Sequence, residues 1–565
     1  MRLRGLFRSS KPHSILVKWV LLSTIIGFLT GIFVSLLEIA VMETLNDIFG
    51  LVLRNPWLLP LIPAAGLTLT GLIRDRFVEN SYLHGTEEVL DAYHYRDGDL
   101  SLKDVPGKII ASILTIGMEG SAGLEGPSIH IGGSVGAALR KLLAKIGIEE
   151  DGRILLLTGA ASGIGAIFKA PLTGLMFSLE VPYKDDMAHQ AVVPALISSV
   201  VSYITLVSIL GAEPLFRHFR PFKGLDLYVI ALSLIEGLLI GIAAIFFVKL
   251  MDYVERICRG KKYVYRGLIG GTSLGALGLI TLLIYGGLYP LGLSYDLVRA
   301  SFSVKDPYFF LIMAILKMIA TALTLGSAGI GGVFIPSIVI GASLGSALSA
   351  LDPDAMSLFV AIGMSSFLSA AFKTPLASVT FVAETTGSES YIIPGLIASA
   401  VSYLITGNYS LPKNQKYVES ARIEELERVK VKELMGPPPP ILSSEITIKR
   451  FFSEHFLKDH TFSVFPIASK DGKLIGVVTI NDVDSVPPIE WDRTKLIDLV
   501  RKVEFLDPEE NLMDALDKMY DYDMCCLPVI DHETGEVVGT LSADAIIRLL
   551  EHKRKLKKYP IFLRR

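Results

Sequence analysis

The 565-residue chain is 51% hydrophobic with a mean hydropathy of +0.50, well above what one water-soluble domain carries. Its formal charge of −3 is concentrated in loops and in a charged C-terminal part, and leaves no footprint for nucleic acid. Three cysteines, Cys258, Cys525 and Cys526, cannot build a disulfide framework and read as buried thiols of a reduced compartment.

Apolar runs long enough to span a bilayer start near Ile15 and recur over Leu53 to Ile73, Gln190 to Ala212, Leu225 to Leu250, Arg266 to Tyr285, Phe309 to Leu325 and Ile392 to Ile405. The first follows Arg2, Arg4, Arg8 and Lys11, so the positive-inside bias puts the N-terminus in the cytoplasm. That run is too long for a signal-peptide core and lacks a persuasive cleavage site. Shorter, glycine-broken apolar segments lie between the spans. Residues 1–412 therefore read as a multi-pass membrane domain with halves over about 12–212 and 225–412, followed by a polar linker or connecting helix over 413–430.

The membrane domain contains one pattern twice. Gly123-Leu-Glu-Gly-Pro-Ser128 leads on to Phe168-Lys-Ala-Pro-Leu172, and Gly331-Gly-Val-Phe-Ile-Pro-Ser337 leads on to Phe372-Lys-Thr-Pro-Leu376. Proline suits the first turn of a helix, because the amide hydrogen it lacks would have no partner there. Both copies read as helices that begin beside a glycine loop inside an apolar stretch, which is a pointer to a transporter binding site. Aligning the copies puts Phe168 on Phe372, Lys169 on Lys373, Glu180 on Glu384 and Pro127 on Pro336, so Glu125 falls on Phe334.

A helix start carries about half a positive charge and unpaired amides, so its natural ligand is an anion. Two starts that face each other make an anion cage, which fixes the sign of the ligand and not its identity. Glu125 stands at one start, where its ionised carboxylate competes with a permeant anion. Once protonated it loses that attraction, which makes it a candidate gate coupled to pH; the plainer reading is a helix-capping acid.

The tail repeats as well. Val431-Lys-Glu-Leu-Met435 opens one α/β unit, over 431–490, and Leu496-Ile-Asp-Leu-Val500 belongs to a second, over 491–553. Asp471-Gly-Lys and Thr534-Gly-Glu supply hairpin turns between strand pairs. The tail resembles a tandem pair of CBS domains, a cytosolic regulatory module. Gly476-Val-Val-Thr-Ile-Asn-Asp482 resembles the segment in which a hydroxyl and an aspartate hold a nucleotide ribose, which implies adenine nucleotide at Thr479 and Asp482. The second copy has Ala545 at the aspartate position, so one site at most is intact, and a purely structural module is the alternative.

On the quoted motifs, residues 15–412 resemble the CLC family of chloride channels and chloride/proton exchangers. Gly-Leu-Glu-Gly-Pro at 123–127 resembles the family's gating-glutamate motif, and Gly-Gly-Val-Phe-Ile-Pro at 331–336 its second anion-binding loop. The resemblance implies an α-helical polytopic domain of two inverted halves followed by a small α/β CBS pair. It implies Glu125 as the external, voltage- and pH-dependent gate, and chloride or another small anion on the amides of Val333 and Phe334, with Gly332 and Gly126 beside them. It further implies a homodimer in membrane lipid with one pore per subunit and a cytoplasmic tail. No enzyme activity and no metal site are expected.

Several positions depart from the family's pattern. Leu124 stands where Lys or Arg is common. The first anion loop is matched loosely by Leu83-His-Gly-Thr-Glu87, with His84 at the serine position, where it reads equally as an anion donor or a capping histidine. Val181, in Phe177-Ser-Leu-Glu-Val181, takes the place of the exchangers' inner glutamate and carries no proton, while Glu180 reads as structural. Tyr409 is the nearest tyrosine to an inner gate, with Pro412 as the competing alignment and an interfacial anchor as its default role. Lys169 and Lys373 either raise the local anion concentration or snorkel to the interface. The leading reading is a passive chloride channel; a proton exchanger using another route is the alternative within the family. A CBS-containing cation transporter, such as one for magnesium, is the alternative outside it, and would need more membrane carboxylates.

Overall fold

The computed structural model describes residues 12–77, 84–216, 218–222, 224–417, 426, 429–456, 462–531 and 534–549, in two compact units divided between Glu419 and Ser420. The basic residues ahead of the first span, Leu83 and most of the 413–430 linker lie outside the described residues.

Eight helices of the first half are followed by eight of the second. The first set is α1 (Pro12–Arg54), α2 (Leu61–Phe77), α3 (Gly85–Tyr95), α4 (Val105–Ile116), α5 (Glu125–Lys145), α6 (Gly152–Ile167), α7 (Pro171–Glu180) and α8 (Val192–Leu210). The second is α9 (Leu227–Cys258), α10 (Tyr263–Tyr285), α11 (Tyr295–Ala300), α12 (Pro307–Leu325), α13 (Phe334–Leu348), α14 (Met356–Phe372), α15 (Pro375–Thr386) and α16 (Ile392–Thr406). Nine helical segments among the described residues are long and apolar enough to cross a membrane, and the chain is a multi-pass membrane protein.

The glycines repeated in sequence are where helices touch. Gly132 of α5 packs on Gly159 of α6, and their counterparts Gly341 and Gly363 join α13 to α14 in the same way. A methyl group at any of them would run into main chain, so the small residue sets the closeness of the helices.

The halves are inverted. Gly27 of α1 lies against Ser198 of α8 and Gly31 against Ser202 and Thr205, so these helices run in the same direction. From Lys18, which pairs with Glu150, to Glu38 the chain climbs about 30 Å, roughly the thickness of the hydrocarbon core. Helix α8 thus ends on the far face from Lys18, and α9 starts there and returns. Helices α2 and α10 run antiparallel, with Gly267, Gly271 and Gly275 seated on Leu67, Pro63 and Leu59.

The tail unit holds α17 (Val431–Leu434), β1 (Leu442–Ser443), α18 (Ile448–Phe451), β2 (Val464–Ala468), β3 (Leu474–Thr479), α19 (Ile480–Asp484), α20 (Leu512–Asp521), β4 (Cys526–Ile530) and β5 (Val537–Ser542). Strand β2 pairs with β1 in parallel and with β3 antiparallel, while β4 and β5 form a separate antiparallel pair. The hairpin turns fall on Gly472 and Gly535, at φ of 78° and 71°, where a side chain would be strained. Cys526 is buried in β4 beside the Thr540 hydroxyl at 3.1 Å, and burial pushes its thiol above the ordinary range.

Candidate functional site: a carboxylate on two facing helix starts

The two glycine loops meet at the centre of the membrane unit. Gly123 and Gly332 exchange both backbone hydrogen bonds, each 2.8 Å long, as a single antiparallel bridge. A Cβ on either glycine would strike the Glu125 carboxylate, so the bridge and the carboxylate together demand glycine. The bridge fixes the start of α5 against the start of α13.

Glu125 is the first residue of α5 and only 1% exposed. Its Oε1 accepts a hydrogen bond from the Phe334 amide at 2.5 Å, and its Oε2 has no hydrogen-bond partner among the described residues. The carboxylate of one repeat therefore occupies the helix start of the other, where the amides and the helix dipole favour an anion. Gly332 and Val333 flank that amide. A methyl on Gly126 would lie 3.0 Å from the Gly331 oxygen, so Gly126 brings main chain close to the same point.

Phe334, the residue aligned with Glu125, sits in a cage of four phenylalanines. Its ring centroid lies 4.6 Å from Phe168, 5.3 Å from Phe177, 6.0 Å from Phe372 and 5.0 Å from Phe381. Phe168 and Phe372 are repeat mates, as are Phe177 and Phe381. The cage is apolar, so it strengthens the amide contact by excluding water. Phe177 enters the sequence analysis only in the string that ends at Val181, and Phe381 not at all, although the repeat itself could have placed both beside Phe334.

Two cavities flank Glu125. A narrow one, about 60 Å³, is lined by His84, Glu87, Gly332, Val333 and Pro412, and by Asp252 and Glu255 near the end of α9. A wide one, about 610 Å³, is lined by Leu124, Phe168 and Lys169, and by Glu38 and Glu213, which stand near the end of α8. The second lies where α8 ends, and α9 starts on that face and ends beside the first, so the two lie toward opposite faces. The Glu125–Phe334 contact stands between them.

Of the remaining candidates, His84 stands at the start of α3 with its backbone N–H donating to Glu87 Oε2 at 3.3 Å. Its Nδ1 is buried without a hydrogen-bond partner among the described residues, in the narrow cavity. Tyr409 is 43% exposed with the Lys249 ammonium 5.0 Å above its ring, and does not line the cavity; Pro412 does. The turn after α16 leaves the Tyr409 ring against Lys249 and outside the cavity. Val181 is buried, and its carbonyl accepts from Gln415 Nε2 at 2.9 Å.

Glu180 and Glu384 cap each other's repeat. Glu180 accepts from the amides of Leu376 and Ala377 at 3.0 and 2.7 Å, at the start of α15. Glu384 accepts from Leu172 and Thr173 at 2.8 and 2.7 Å, at the start of α7. Lysines 169 and 373 share a left-handed backbone, at φ of 53° and 61°, but not a role. Lys373 donates to the Tyr403 carbonyl at 2.9 Å and the Thr406 hydroxyl at 2.6 Å, whereas Lys169 lines the wide cavity.

In the tail, Asp482 Oδ2 accepts from the Thr479 amide at 2.9 Å and its hydroxyl at 2.7 Å, while Oδ1 accepts from Arg501 Nε at 2.8 Å. Both carboxylate oxygens are thus spent on the start of α19 and on Arg501. A ribose would have to displace Arg501 to reach the Asp482 carboxylate.

A family model described as the voltage gated chloride channel matches residues 65–407, and CBS domains match 431–487 and 497–552. The chain belongs to the voltage gated chloride channel family and ends in a tandem pair of CBS domains. The H(+)/Cl(-) exchange transporter ClcA of Vibrio campbellii is 26% identical over 429 residues, covering 70% of this chain and 88% of its own length. The crystal structure of a CLC-type fluoride/proton antiporter gives a TM-score of 0.64 at 24% identity, over 72% of this chain and all of that one. A eukaryotic CLC transporter gives 0.59 at 18% identity, over 94% of this chain and 98% of its own. These two likenesses show the fold.

Proposed function

We propose that the chain moves chloride or another small inorganic anion across a membrane, with Glu125 as the gate. The observation that carries this is the Glu125 carboxylate on the Phe334 amide, between cavities that lie toward opposite faces. Protonation removes the charge that holds the carboxylate there, and an anion takes its place on the amides of Val333 and Phe334 beside Gly332 and Gly126. His84 faces the narrow approach, and its Nδ1, without a hydrogen-bond partner among the described residues, is a polar atom open to an anion on that route.

Two modes fit this gate, each with its own support. Proton-coupled exchange has the relatives' names behind it, since the similar curated proteins are called H(+)/Cl(-) exchange transporters. Passive conduction has Val181 behind it, because no carboxylate stands at the exchangers' inner position and Glu180 is bound up as a helix cap. The reversal potential of the reconstituted protein in opposed chloride and pH gradients separates them. A potential set by chloride alone means conduction, a potential that moves with pH means exchange, and no anion flux at all overturns the proposal.

We read the Asp482 segment of the tail as structural, in keeping with its capping contacts. The basic residues before the first span support a cytoplasmic N-terminus, and the family resemblance supports a homodimer.

A further inference from the structure

Lys169 follows Phe168, which stacks on Phe334, and shares the wide cavity with Leu124, the neighbour of Glu125. Its repeat mate Lys373 is tied down by Thr406 on α16. The two halves match again further along the chain: Val193-Pro-Ala-Leu-Ile-Ser-Ser-Val-Val-Ser-Tyr203 aligns with Ile393-Pro-Gly-Leu-Ile-Ala-Ser-Ala-Val-Ser-Tyr403, which sets Leu206 against Thr406. Leucine has no acceptor, so the first copy lacks the group that holds Lys373. Among the described residues Lys169 makes no hydrogen bond or ion pair through its ammonium.

The other charged or titratable groups on this cavity are Glu38, Glu213, His218, Tyr295 and Arg299. Arg299 is held by Asp296 at 2.9 Å, Glu213 has a partner of its own, and the His218 ring stacks on Phe302 with centroids 6.0 Å apart. Tyr295 packs edge-on against Phe216. Glu38 differs: its Oε2 is buried without a hydrogen-bond partner among the described residues, and the charge whose field acts on it is Lys169. Among the described residues the wall thus carries one uncommitted cation and one uncommitted carboxylate oxygen, close to the approach to the gate.

We propose that Lys169 forms an entry site for the permeant anion in the wide cavity, and that Glu38 competes with the anion for it. The site repeats the logic of the gate with side chains, since a carboxylate of the protein holds the place an anion takes. Lys169 concentrates small anions on the far face through its field, and Leu124 leaves that role to it by carrying no charge. This rests on the anion-transport reading. The left-handed backbone at residue 169 accepts asparagine with less strain than lysine, so Lys169→Asn removes the charge without threatening the fold.

The test is transport by the full-length protein in planar bilayers, with chloride varied on the side Lys169 faces and gluconate setting the ionic strength. Lys169→Asn raises the half-saturating chloride on that side roughly three- to tenfold at low ionic strength, and Glu38→Gln lowers it. Both shifts shrink at about 1 M salt, where the screening length is about 3 Å, and Lys169→Arg restores the original value. Equal half-saturation in wild type, Lys169→Asn and Glu38→Gln overturns the entry site while leaving anion transport standing. Loss of flux in wild type overturns the transport reading itself.

Discussion

Glu180 caps the helix that starts at Pro375, and Glu384 caps the helix that starts at Pro171, so each half of the membrane unit supplies the acid that completes the other. Both acids are spent on structure. Replacing Glu180 with Ala leaves the buried Ala377 amide and the part-buried Leu376 amide without their acceptor and costs about 2–4 kcal/mol, read as a lower unfolding midpoint in detergent. Glu180→Gln keeps an acceptor, loses less, and leaves anion flux close to wild type. A Glu180→Gln protein that folds but has lost its response to pH would make Glu180 a proton carrier after all.

How much of this was legible in the sequence follows from where each partner lies. The repeat located the two helix starts, the glycine loops and the pairing of Glu125 with Phe334, because those residues sit in one short motif per copy. It also gave Glu180 a structural role. It could not say what Glu180 caps, since its partner amides lie in the other half of the chain and no spacing rule reaches them. Lys169 and Lys373 looked equivalent because their own motifs are; their fates diverge at Leu206 and Thr406, on the helices that pack behind them.

The Gly123–Gly332 bridge has its own prediction. A methyl at Gly332 meets the Glu125 carboxylate, so Gly332→Ala drives the carboxylate off the Phe334 amide. Losing that charge-assisted contact, worth about 2 kcal/mol, shifts the closed-to-open ratio roughly thirtyfold toward open. Flux at neutral pH rises and its dependence on pH flattens, as measured by chloride release from vesicles.

In the tail, Asp482 is committed to Thr479 and Arg501. Asp482→Ala removes the cap and the ion pair together and lowers the stability of the tail by about 1–2 kcal/mol. Calorimetry of the full-length protein should find its unfolding unchanged by millimolar ATP. A shift equivalent to about 2.7 kcal/mol, as a ligand at a hundred times its dissociation constant produces, would instead mean that Arg501 yields the carboxylate to a nucleotide.

The most direct test of the gate is chloride efflux from liposomes across a pH series, comparing wild type with Glu125→Gln. Efflux through wild type rises as the pH falls, because protonation frees the Phe334 amide for the anion. Glu125→Gln, neutral at every pH, conducts at least as fast as acidified wild type and shows no pH dependence. A variant that keeps the wild-type pH profile, or a wild type that passes no chloride, would contradict the account.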